Sequence, residues 1–310
     1  MGQAQATTQT VVPQFPEFKF LEWNDRIEVE QITSRFQTYS DFNFTSLHIW
    51  NVLGKTLLSI LNGNLVVVFS DYITGEQFIS FIGDNDPVST TKILLDYSKT
   101  RYGCLHLKLI PEIVAKKLCN SEFIITEDRN SFDYIFSMPD MRNLQTMPAK
   151  HKPAIRVRLF IKSYPHYQVR HSALHEANIE TLREAYTKWA CNKGFDCFRT
   201  TNEYHAFERL LANRNPSVTV TTIHVDTEIP IGFLTTEIIS SDTAVCHFCK
   251  ADITYKGIYE TLFWIVGTYY AGLGIDNLNF EQDLGLENLR YSKEKYKCHS
   301  FLKKYVVEIR

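Results

Sequence analysis

Four polar side chains near the C-terminus have the types and spacing to act on a carbonyl substrate. Asp283 is followed by Arg290, Lys293 and Tyr296, and Arg290 and Lys293, three residues apart, share one face of a helix. Arginine or lysine can stabilise an oxyanion, Asp283 can hold a substrate ammonium group, and Tyr296 can relay a proton. The alternative is that Asp283 and Arg290 form a structural ion pair that fixes a long loop. Both interpretations stay open on the sequence.

A long segment in the middle of the chain carries positive charge only. Residues 141–175 contain seven lysine and arginine residues and no acid, whereas the whole chain has a formal net charge of −2. Residues 291–310 are also basic, so the remainder is acidic and one face can bind an anionic partner. Charge runs are often only solvated surface, but solvated surface usually mixes signs. The exposed positive surface is expected to include Lys150, Lys152, Arg156 and Arg158.

Motifs for metal binding and for other catalytic chemistry are weak. Cys246-His247-Phe248-Cys249 contains two thiols, but residues three apart in a regular strand point to opposite faces and would not chelate one ion. A second Cys-x-x-Cys for a structural zinc site is missing from the sequence, and buried thiols are the favoured interpretation. Gly-x-Ser-x-Gly, Walker and Gly-x-Gly-x-x-Gly motifs do not occur either. We expect no bound metal.

The composition is typical of a folded, water-soluble chain. Of 310 residues, 44% are hydrophobic and 22% are charged, which excludes a disordered or fibrous protein. The longest apolar stretch, residues 261–275, would span about 22 Å as a helix, less than the about 30 Å of a bilayer core. The start has no basic and apolar secretory signal, and seven scattered cysteines suit reduced thiols. We expect a cytoplasmic protein without a transmembrane segment, with residues 1–16 as a disordered leader.

The elements that position these residues are predicted to form mixed α/β units. Asn62-Gly63 between two apolar runs predicts a hairpin. In the second half, residues 178–193 predict a long helix, residues 244–250 predict a strand, and a helix with one apolar stripe follows from Ile258. Residues 305–309 are predicted to form the last strand. Each unit is therefore expected to have a mainly antiparallel sheet flanked by helices.

Proline residues suggest where one unit ends and the next begins. Met138-Pro139 and Met147-Pro148 follow the strand at residues 134–137, which is expected to complete the first unit. The prediction is an N-terminal domain over residues 17–145 and a C-terminal domain over residues 146–310.

Several short motifs, in order along the chain, resemble one protein family. The run Asn279-Phe280-Glu281-Gln282-Asp283-Leu284-Gly285-Leu286 is the most specific of them. It is similar to a signature of the phosphatidylglycerol lysyltransferase C-terminal-domain family. The resemblance extends from about Phe42 to Ile309. Weaker pieces of it are Phe42-Asn43-Phe44-Thr45-Ser46-Leu47, Asp133-Tyr134-Ile135, Tyr164-Pro165-His166-Tyr167 and Lys256-Gly257-Ile258-Tyr259.

The resemblance implies a fold and an activity. The fold would be a tandem of two acetyltransferase-like (GNAT) domains, and relatives move amino acids from aminoacyl-tRNA to lipid or cell-wall acceptors. Asp283, Arg290, Lys293 and Tyr296 would then position an aminoacyl ester and stabilise its oxyanion. One departure is clear: the family has a compact basic cluster where this chain reads Lys152-Pro153-Ala154-Ile155. The ligand of that cluster would be bound differently here, or not at all.

Residues 250–257 stand where an acetyltransferase-like fold has its phosphate-binding turn. Free backbone N–H groups and the helix dipole bind phosphate at such a turn, so Lys256 and Gly257 are candidate anion-binding residues. A full acyl-CoA cradle would need more small residues, and a plain strand-to-helix turn explains the segment equally well. Acetyl-CoA is therefore the less favoured donor. Aminoacyl-tRNA is the favoured co-substrate, and no bound cofactor is expected.

Three functions remain open on the sequence. The first is an aminoacyl- or acyltransferase that moves an amino acid from aminoacyl-tRNA to a lipid, cell-wall or small-molecule acceptor. The second is an acyl-CoA-dependent N-acyltransferase. The third is a non-catalytic module that binds RNA, a nucleotide or anionic lipid through the basic face. The expected partners are tRNA and an anionic lipid surface, which would place the protein in the cytoplasm or at the inner face of the membrane.

Overall fold

Two compact units account for the part of the chain that the structure describes. The computed structural model describes residues 11–71, 74–148 and 150–310. The first unit runs to Asp128 and takes in Lys303–Arg310, and the second unit is Arg129–Leu302. Both combine helices with mainly antiparallel strands, so the predicted mixed α/β fold class is confirmed.

The described part of the chain contains fourteen strands and ten α-helices. The strands are β1 (Lys19–Phe20), β2 (Leu57–Leu61), β3 (Asn64–Ser70), β4 (Gln77–Ile82), β5 (His106–Pro111), β6 (Phe123–Glu127), β7 (Asp133–Ser137), β8 (Gln168–Ala173), β9 (Val218–His224), β10 (Gly232–Ile238), β11 (Thr243–Ala251), β12 (Asn277–Asn279), β13 (Ser300–Leu302) and β14 (Lys304–Ile309). The α-helices are α1 (Arg26–Thr33), α2 (Phe44–Trp50), α3 (Pro87–Tyr102), α4 (Glu112–Ala115), α5 (Met138–Arg142), α6 (Lys152–Ser163), α7 (Ile179–Asn192), α8 (Asn202–Asn213), α9 (Ile258–Gly272) and α10 (Glu287–Glu294).

The first unit contains two antiparallel sheets. Its four-stranded sheet has the order β1-β2-β3-β4, and its three-stranded sheet has the order β5-β14-β6. The predicted hairpin is confirmed, since β2 pairs with β3 in antiparallel register. Asn62 and Gly63 form its turn with φ values of 54° and 75°, the left-handed values that an Asn-Gly turn tolerates.

Residues 11–16 pack onto the first unit, which corrects the expectation of a leader reaching residue 16. Val12 is buried, and the backbone of Gln14 bridges to Ile60. The ring of Phe15 lies edge-on to Tyr97 with their centroids 5.1 Å apart. These apolar contacts fix a segment whose Gln- and Thr-rich neighbours suggested disorder. Residues 1–10 of the expected leader lie outside the described residues.

The second unit is built on one seven-stranded sheet of order β13-β7-β12-β11-β10-β9-β8. Its neighbouring strands are antiparallel except β11 and β12, which pair in parallel over Thr243–Val245 and Asn277–Asn279. This pairing stops at Val245 although β11 continues to Ala251. The far end of β11 is therefore available to side chains from α9 and from the segment after β12.

The boundary between the units differs from the predicted division at residues 145 and 146. β7 was expected to complete the first unit, but it lies between β12 and β13 in the sheet of the second. The last strand, β14, lies between β5 and β6 in the first unit instead of in the second. Long-range backbone hydrogen bonds decide these assignments. The Met138-Pro139 pair only begins α5, where proline in the first turn is favourable.

Helix α9 passes through the core of the second unit. Ile258, Leu262 and Val266 on its predicted apolar stripe are buried in the unit's hydrophobic core. Gly267 allows close packing, because a Cβ there would lie 2.4 Å from the Cβ of Met141 on α5. α9 has 15 residues, and none of the helices in the described part of the chain is long and apolar enough to cross a membrane.

Candidate functional site

Asp283 is the centre of a buried polar cluster in the second unit. It lies between β12 and α10, and its side chain is fully buried. Its Oδ2 accepts hydrogen bonds from the Tyr134 hydroxyl at 2.6 Å and from Arg129 at 3.0 Å. Arg290 donates to both carboxylate oxygens at 2.8 Å, and the backbone N–H of Gly285 donates at 2.9 Å. Residues distant in sequence thus converge on one carboxylate.

The hydrogen bonds to Asp283 fix its charge. Burial alone would raise the pKa of Asp283, but hydrogen bonds from Arg290, Tyr134 and Gly285 outweigh it and lower the pKa to about 2. The carboxylate is therefore ionised at neutral pH. Because it already accepts five hydrogen bonds, a substrate ammonium group would have to displace one of these donors. This geometry suits a residue that positions the two arginine side chains.

Arg290 and Lys293 both lie on α10, so their predicted helical spacing is confirmed. Arg290 also donates through Nη2 to the side-chain oxygen of Asn130 at 2.7 Å, and its side chain is 32% exposed. Lys293 is buried and donates to the backbone carbonyls of Phe280 and Gln282, both at 2.5 Å. Burial lowers the pKa of Lys293 to about 8. Of the two cations, Arg290 is the one with surface that a substrate can reach.

Tyr296 belongs to a second cluster, beside the first turn of α9. Its ring stacks on Phe263 with the centroids 4.5 Å apart. Glu260 on the same helix is buried and contacts Lys295 at 2.5 Å and Arg156 at 3.5 Å. Burial, together with the nearby Glu260 carboxylate, raises the pKa of Tyr296. The phenol is therefore protonated at neutral pH, and it is a weaker acid than an exposed tyrosine.

The two clusters adjoin through Phe280. The backbone carbonyl of Phe280 accepts the hydrogen bond from Lys293, and its ring packs against Phe263 with the centroids 5.0 Å apart. The ring of Phe263 also stacks on the ring of Tyr296. The structure thus brings Asp283, Arg290 and Lys293 together directly and connects Tyr296 to them through the rings of Phe280 and Phe263.

Sequence reasoning missed Arg129, Tyr134 and Glu260, which complete these clusters. Tyr134 lies in the run Asp133-Tyr134-Ile135 that carried part of the family resemblance, but it is 149 residues from Asp283 and nothing local links the two. Glu260 is an isolated acid in the apolar helix α9. A buried carboxylate needs a cationic partner. A single acid in an apolar helix was therefore the sequence signal that could have identified Glu260.

A β-bulge in β11 buries an ionisable side chain that was also missed. His247 is the extra residue where the register between β10 and β11 shifts. Its ring lies 3.4 Å from Glu237 and 3.8 Å from Glu281. Burial alone would lower the pKa of His247, but the two glutamates outweigh it and raise the pKa to about 9. A charged imidazole is therefore enclosed in the sheet at neutral pH.

The ion pairs of His247 predict a pH-dependent contribution to stability. Its folded-state pKa of about 9 exceeds the ordinary value of 6.5, so the contribution is complete below about pH 6.5 and is lost as the pH rises through about 9. We expect the difference in unfolding free energy between wild type and His247→Gln to shrink across that range in urea denaturation. A difference that stays constant would contradict the charged pair. His175→Gln, at an exposed histidine, is the matched control.

The turn before α9 is filled by protein groups. Gly257 has a φ of +91°, and a Cβ there would lie 2.3 Å from the carbonyl oxygen of Arg156, so the close approach of α6 explains the glycine. Asp252 is buried in the same turn and accepts a hydrogen bond from the backbone N–H of Thr254 at 2.9 Å. Lys256 is exposed. A phosphate at this turn would meet a buried carboxylate.

The predicted positive surface is only partly assembled on the exterior. Lys150, Lys152 and Arg156 are exposed. Arg158 is half-buried, and its guanidinium donates to two backbone carbonyls before α6 at 2.9 and 3.0 Å. Arg158 therefore holds the chain entering α6, in contrast to the expectation that it lies on the anion-binding face.

The sequence argument that Cys246 and Cys249 point to opposite faces is wrong. The bulge at His247 shifts the alternation of β11 by one residue, and both thiols pack in or against the same hydrophobic core. Burial raises the pKa of Cys249 to about 12 and also raises that of Cys246, so both remain thiols. In the part of the chain that the structure describes, no group of three or more His, Cys, Asp or Glu side chains is placed to hold a metal ion.

The fold and these motifs agree with comparisons to known proteins. The profile of the family described as phosphatidylglycerol lysyltransferase, C-terminal, matches residues 35–308. The chain therefore belongs to this family. A comparison with curated proteins finds no significant match.

Solved structures share the fold at low sequence identity. A conserved protein of unknown function from Bacteroides thetaiotaomicron superposes with a TM-score of 0.79 at 23% identity, covering 94% of this chain and 99% of that one. A C-terminal domain assigned to a lysylphosphatidylglycerol synthetase from Agrobacterium fabrum gives 0.63 at 9% identity, covering 92% and 90%. L-PGS from Bacillus licheniformis gives 0.55 at 13% identity, covering 84% and 86%.

Proposed function

We propose that this protein transfers an aminoacyl group from an aminoacyl-tRNA to an acceptor amine or hydroxyl. The observation that carries the proposal is the family match over residues 35–308, which takes in every residue of both clusters around Asp283 and Tyr296. The family is named for a lysyl transfer.

The turn before α9 supports an ester donor in preference to acyl-CoA. Two buried carboxylates, Asp252 in the turn and Glu260 in the first helical turn, lie where the strand-to-helix turn meets α9. A diphosphate placed there would have to compete with these carboxylates for the cations that already pair with them, Arg156 and Lys295 at Glu260 and Lys188 at Asp252. Gly257 leaves no open cradle, because the carbonyl oxygen of Arg156 fills the space beside it. An aminoacyl ester needs no phosphate site at this helix.

Arg290 is proposed to stabilise the transition state. When the acceptor attacks the ester carbonyl, negative charge develops on the carbonyl oxygen, and a guanidinium held in advance lowers the barrier without reorganising. Asp283 holds Arg290 through two hydrogen bonds of 2.8 Å. Nε and Nη2 make these contacts, so Nη1 is the group that would face a substrate. Asp283 is then a positioning residue, in place of the ammonium ligand expected from the sequence.

Tyr296 and Lys293 complete the proposed reaction. As the tetrahedral intermediate collapses, the bond to the ribose oxygen breaks, and the Tyr296 hydroxyl gives its proton to that oxygen while it takes the proton of the attacking acceptor. This relay leaves Tyr296 neutral throughout. Lys293 holds the carbonyls of Phe280 and Gln282, so its role is to fix the segment that carries Asp283.

Label transfer tests the proposal. The protein is incubated with tRNA charged with a mixture of labelled amino acids, together with a lipid extract or a panel of small amines. We expect label to pass into a ribonuclease-resistant product, and the acceptor fraction identifies the acceptor class. If tRNA binds but no label leaves it with any acceptor, the non-catalytic module is the better description.

A further inference from the structure

Helix α6 (Lys152–Ser163) has an outer face that combines cations with exposed aliphatic side chains. Its inner side chains, Ala154, Val157 and Phe160, are fully buried. On the opposite side Ile155 and Leu159 are 44% and 45% exposed. The two are four residues apart, so they are neighbours on the helix surface. They form one apolar strip on a helix whose opposite side packs in the hydrophobic core.

Positive charge surrounds this strip. Lys152 lies three residues before Ile155, and Lys162 lies three residues after Leu159, so each lysine borders one end of it. Both lysines and Arg156, next to Ile155, are exposed. The nearest acid in the sequence lies before residue 141 or after residue 175. In the fold, Arg156 pairs with Glu260 at 3.5 Å.

We infer that this outer face of α6 docks on the surface of an anionic lipid bilayer. An interfacial helix places aliphatic side chains among the acyl chains and lets lysine and arginine reach the phosphate groups. The face formed by Lys152, Ile155, Arg156, Leu159 and Lys162 supplies both kinds of contact.

An RNA partner fits the same face less well. RNA is bound through phosphate contacts and by stacking of bases on aromatic or guanidinium planes. Ile155 and Leu159 offer an RNA neither kind of contact. Exposed aliphatic residues gain free energy only where apolar surface is available to cover them, and a bilayer supplies it.

The position of α6 connects this docking face to the proposed function. Arg156 on the docking face contacts Glu260 of α9, and Glu260 also binds Lys295, the neighbour of Tyr296. A bilayer on α6 would therefore bring its headgroups next to the cluster that contains Tyr296. Docking there would serve the proposed transferase, and it can be measured without any transfer reaction.

Vesicle sedimentation tests the docking face. The whole protein is mixed with vesicles of phosphatidylcholine alone or with phosphatidylglycerol added, without donor or acceptor. We expect binding only to the anionic vesicles. The double variant Lys152→Gln with Lys162→Gln should bind these vesicles about 25-fold more weakly, because each cation near the surface contributes about fivefold. The double variant Ile155→Ser with Leu159→Ser should bind them about tenfold more weakly, because it loses buried apolar surface.

The matched control changes an exposed aliphatic residue and an exposed lysine on another helix. Ile93→Ser with Lys99→Gln on α3 should bind vesicles as the wild type does. Equal losses for this control and the α6 variants would overturn the inference. So would α6 variants that lose tRNA binding but keep vesicle binding, because the face would then be an RNA surface. Both results are independent of transferase activity, so the proposed function is tested separately.

Discussion

Replacing Asp283 with asparagine is expected to destabilise the protein by about 3 kcal/mol. The substitution keeps the shape but removes the charge that pairs with Arg129 and Arg290 at 2.8–3.0 Å. Breaking a buried ion pair from one side costs about 3–5 kcal/mol. The lower end applies because the two arginine side chains are 35% and 32% exposed. Urea denaturation of the two proteins at neutral pH measures the difference.

Acid titration separates this charge effect from a packing effect. The pKa of Asp283 is held at about 2, below the ordinary 3.8, so its stabilising contribution is present above about pH 4 and is lost as the pH falls through about 2. The gap between wild type and Asp283→Asn should therefore shrink between those values. Glu228→Gln, which breaks an exposed pair with Arg170, should leave stability nearly unchanged. A loss for Asp283→Asn no larger than for this control would contradict the assignment.

Replacing Arg290 with alanine is expected to reduce aminoacyl transfer by about 10²–10³-fold. Removal of one preorganised donor to an oxyanion costs about 2.7–4 kcal/mol of transition-state stabilisation. Because the interaction is made in the transition state, kcat and kcat/KM should fall together. Arg129 and Tyr134 still bind Asp283 in this variant, so the protein should remain folded. Steady-state kinetics and a thermal melt are measured on the same preparation.

Two further variants make the Arg290 result decisive. Arg290→Lys keeps the charge but not the two-pronged contact with Asp283, and it should recover only part of the rate. Arg170→Ala, which removes an arginine from an exposed pair, should transfer at the wild-type rate. A normal rate in folded Arg290→Ala would refute the catalytic role. If the rate falls only by the fraction of the variant that is unfolded, Arg290 has a structural role and no catalytic one.

Local pattern was sufficient to predict the elements of the site but not its assembly. The i, i+3 spacing placed Arg290 and Lys293 on one helix, and the apolar stripe of α9 predicted its buried face. The pairing of Asp283 with Arg290 was one of two alternatives left by the sequence, and the contact is present. Tyr134 could not be added, because only the long-range pairing of β7 with β12 brings it beside Asp283.

Two other features depend on backbone geometry that periodicity does not encode. The bulge at His247 changes which face of β11 each later residue occupies, so an argument from strict alternation misplaced Cys249. The strand β14 is close in sequence to β13, yet it pairs with β5 and β6. Both outcomes are set by hydrogen bonds between residues far apart in the chain. Prolines near residue 139 were therefore a poor guide to the division between the units.

Aminoacyl transfer is tested most directly by measuring, in one reaction, the loss of the aminoacyl ester from tRNA and the release of the coenzyme A thiol. Wild-type protein is given labelled aminoacyl-tRNA, acetyl-CoA and the acceptor fraction, and ribonuclease-resistant label and free thiol are measured together. We predict acceptor-dependent transfer of the aminoacyl label, no release of thiol above background, and loss of the transfer in Arg290→Ala. Acceptor-dependent release of thiol with the aminoacyl-tRNA left intact would contradict the proposed donor and identify an acyl-CoA transferase.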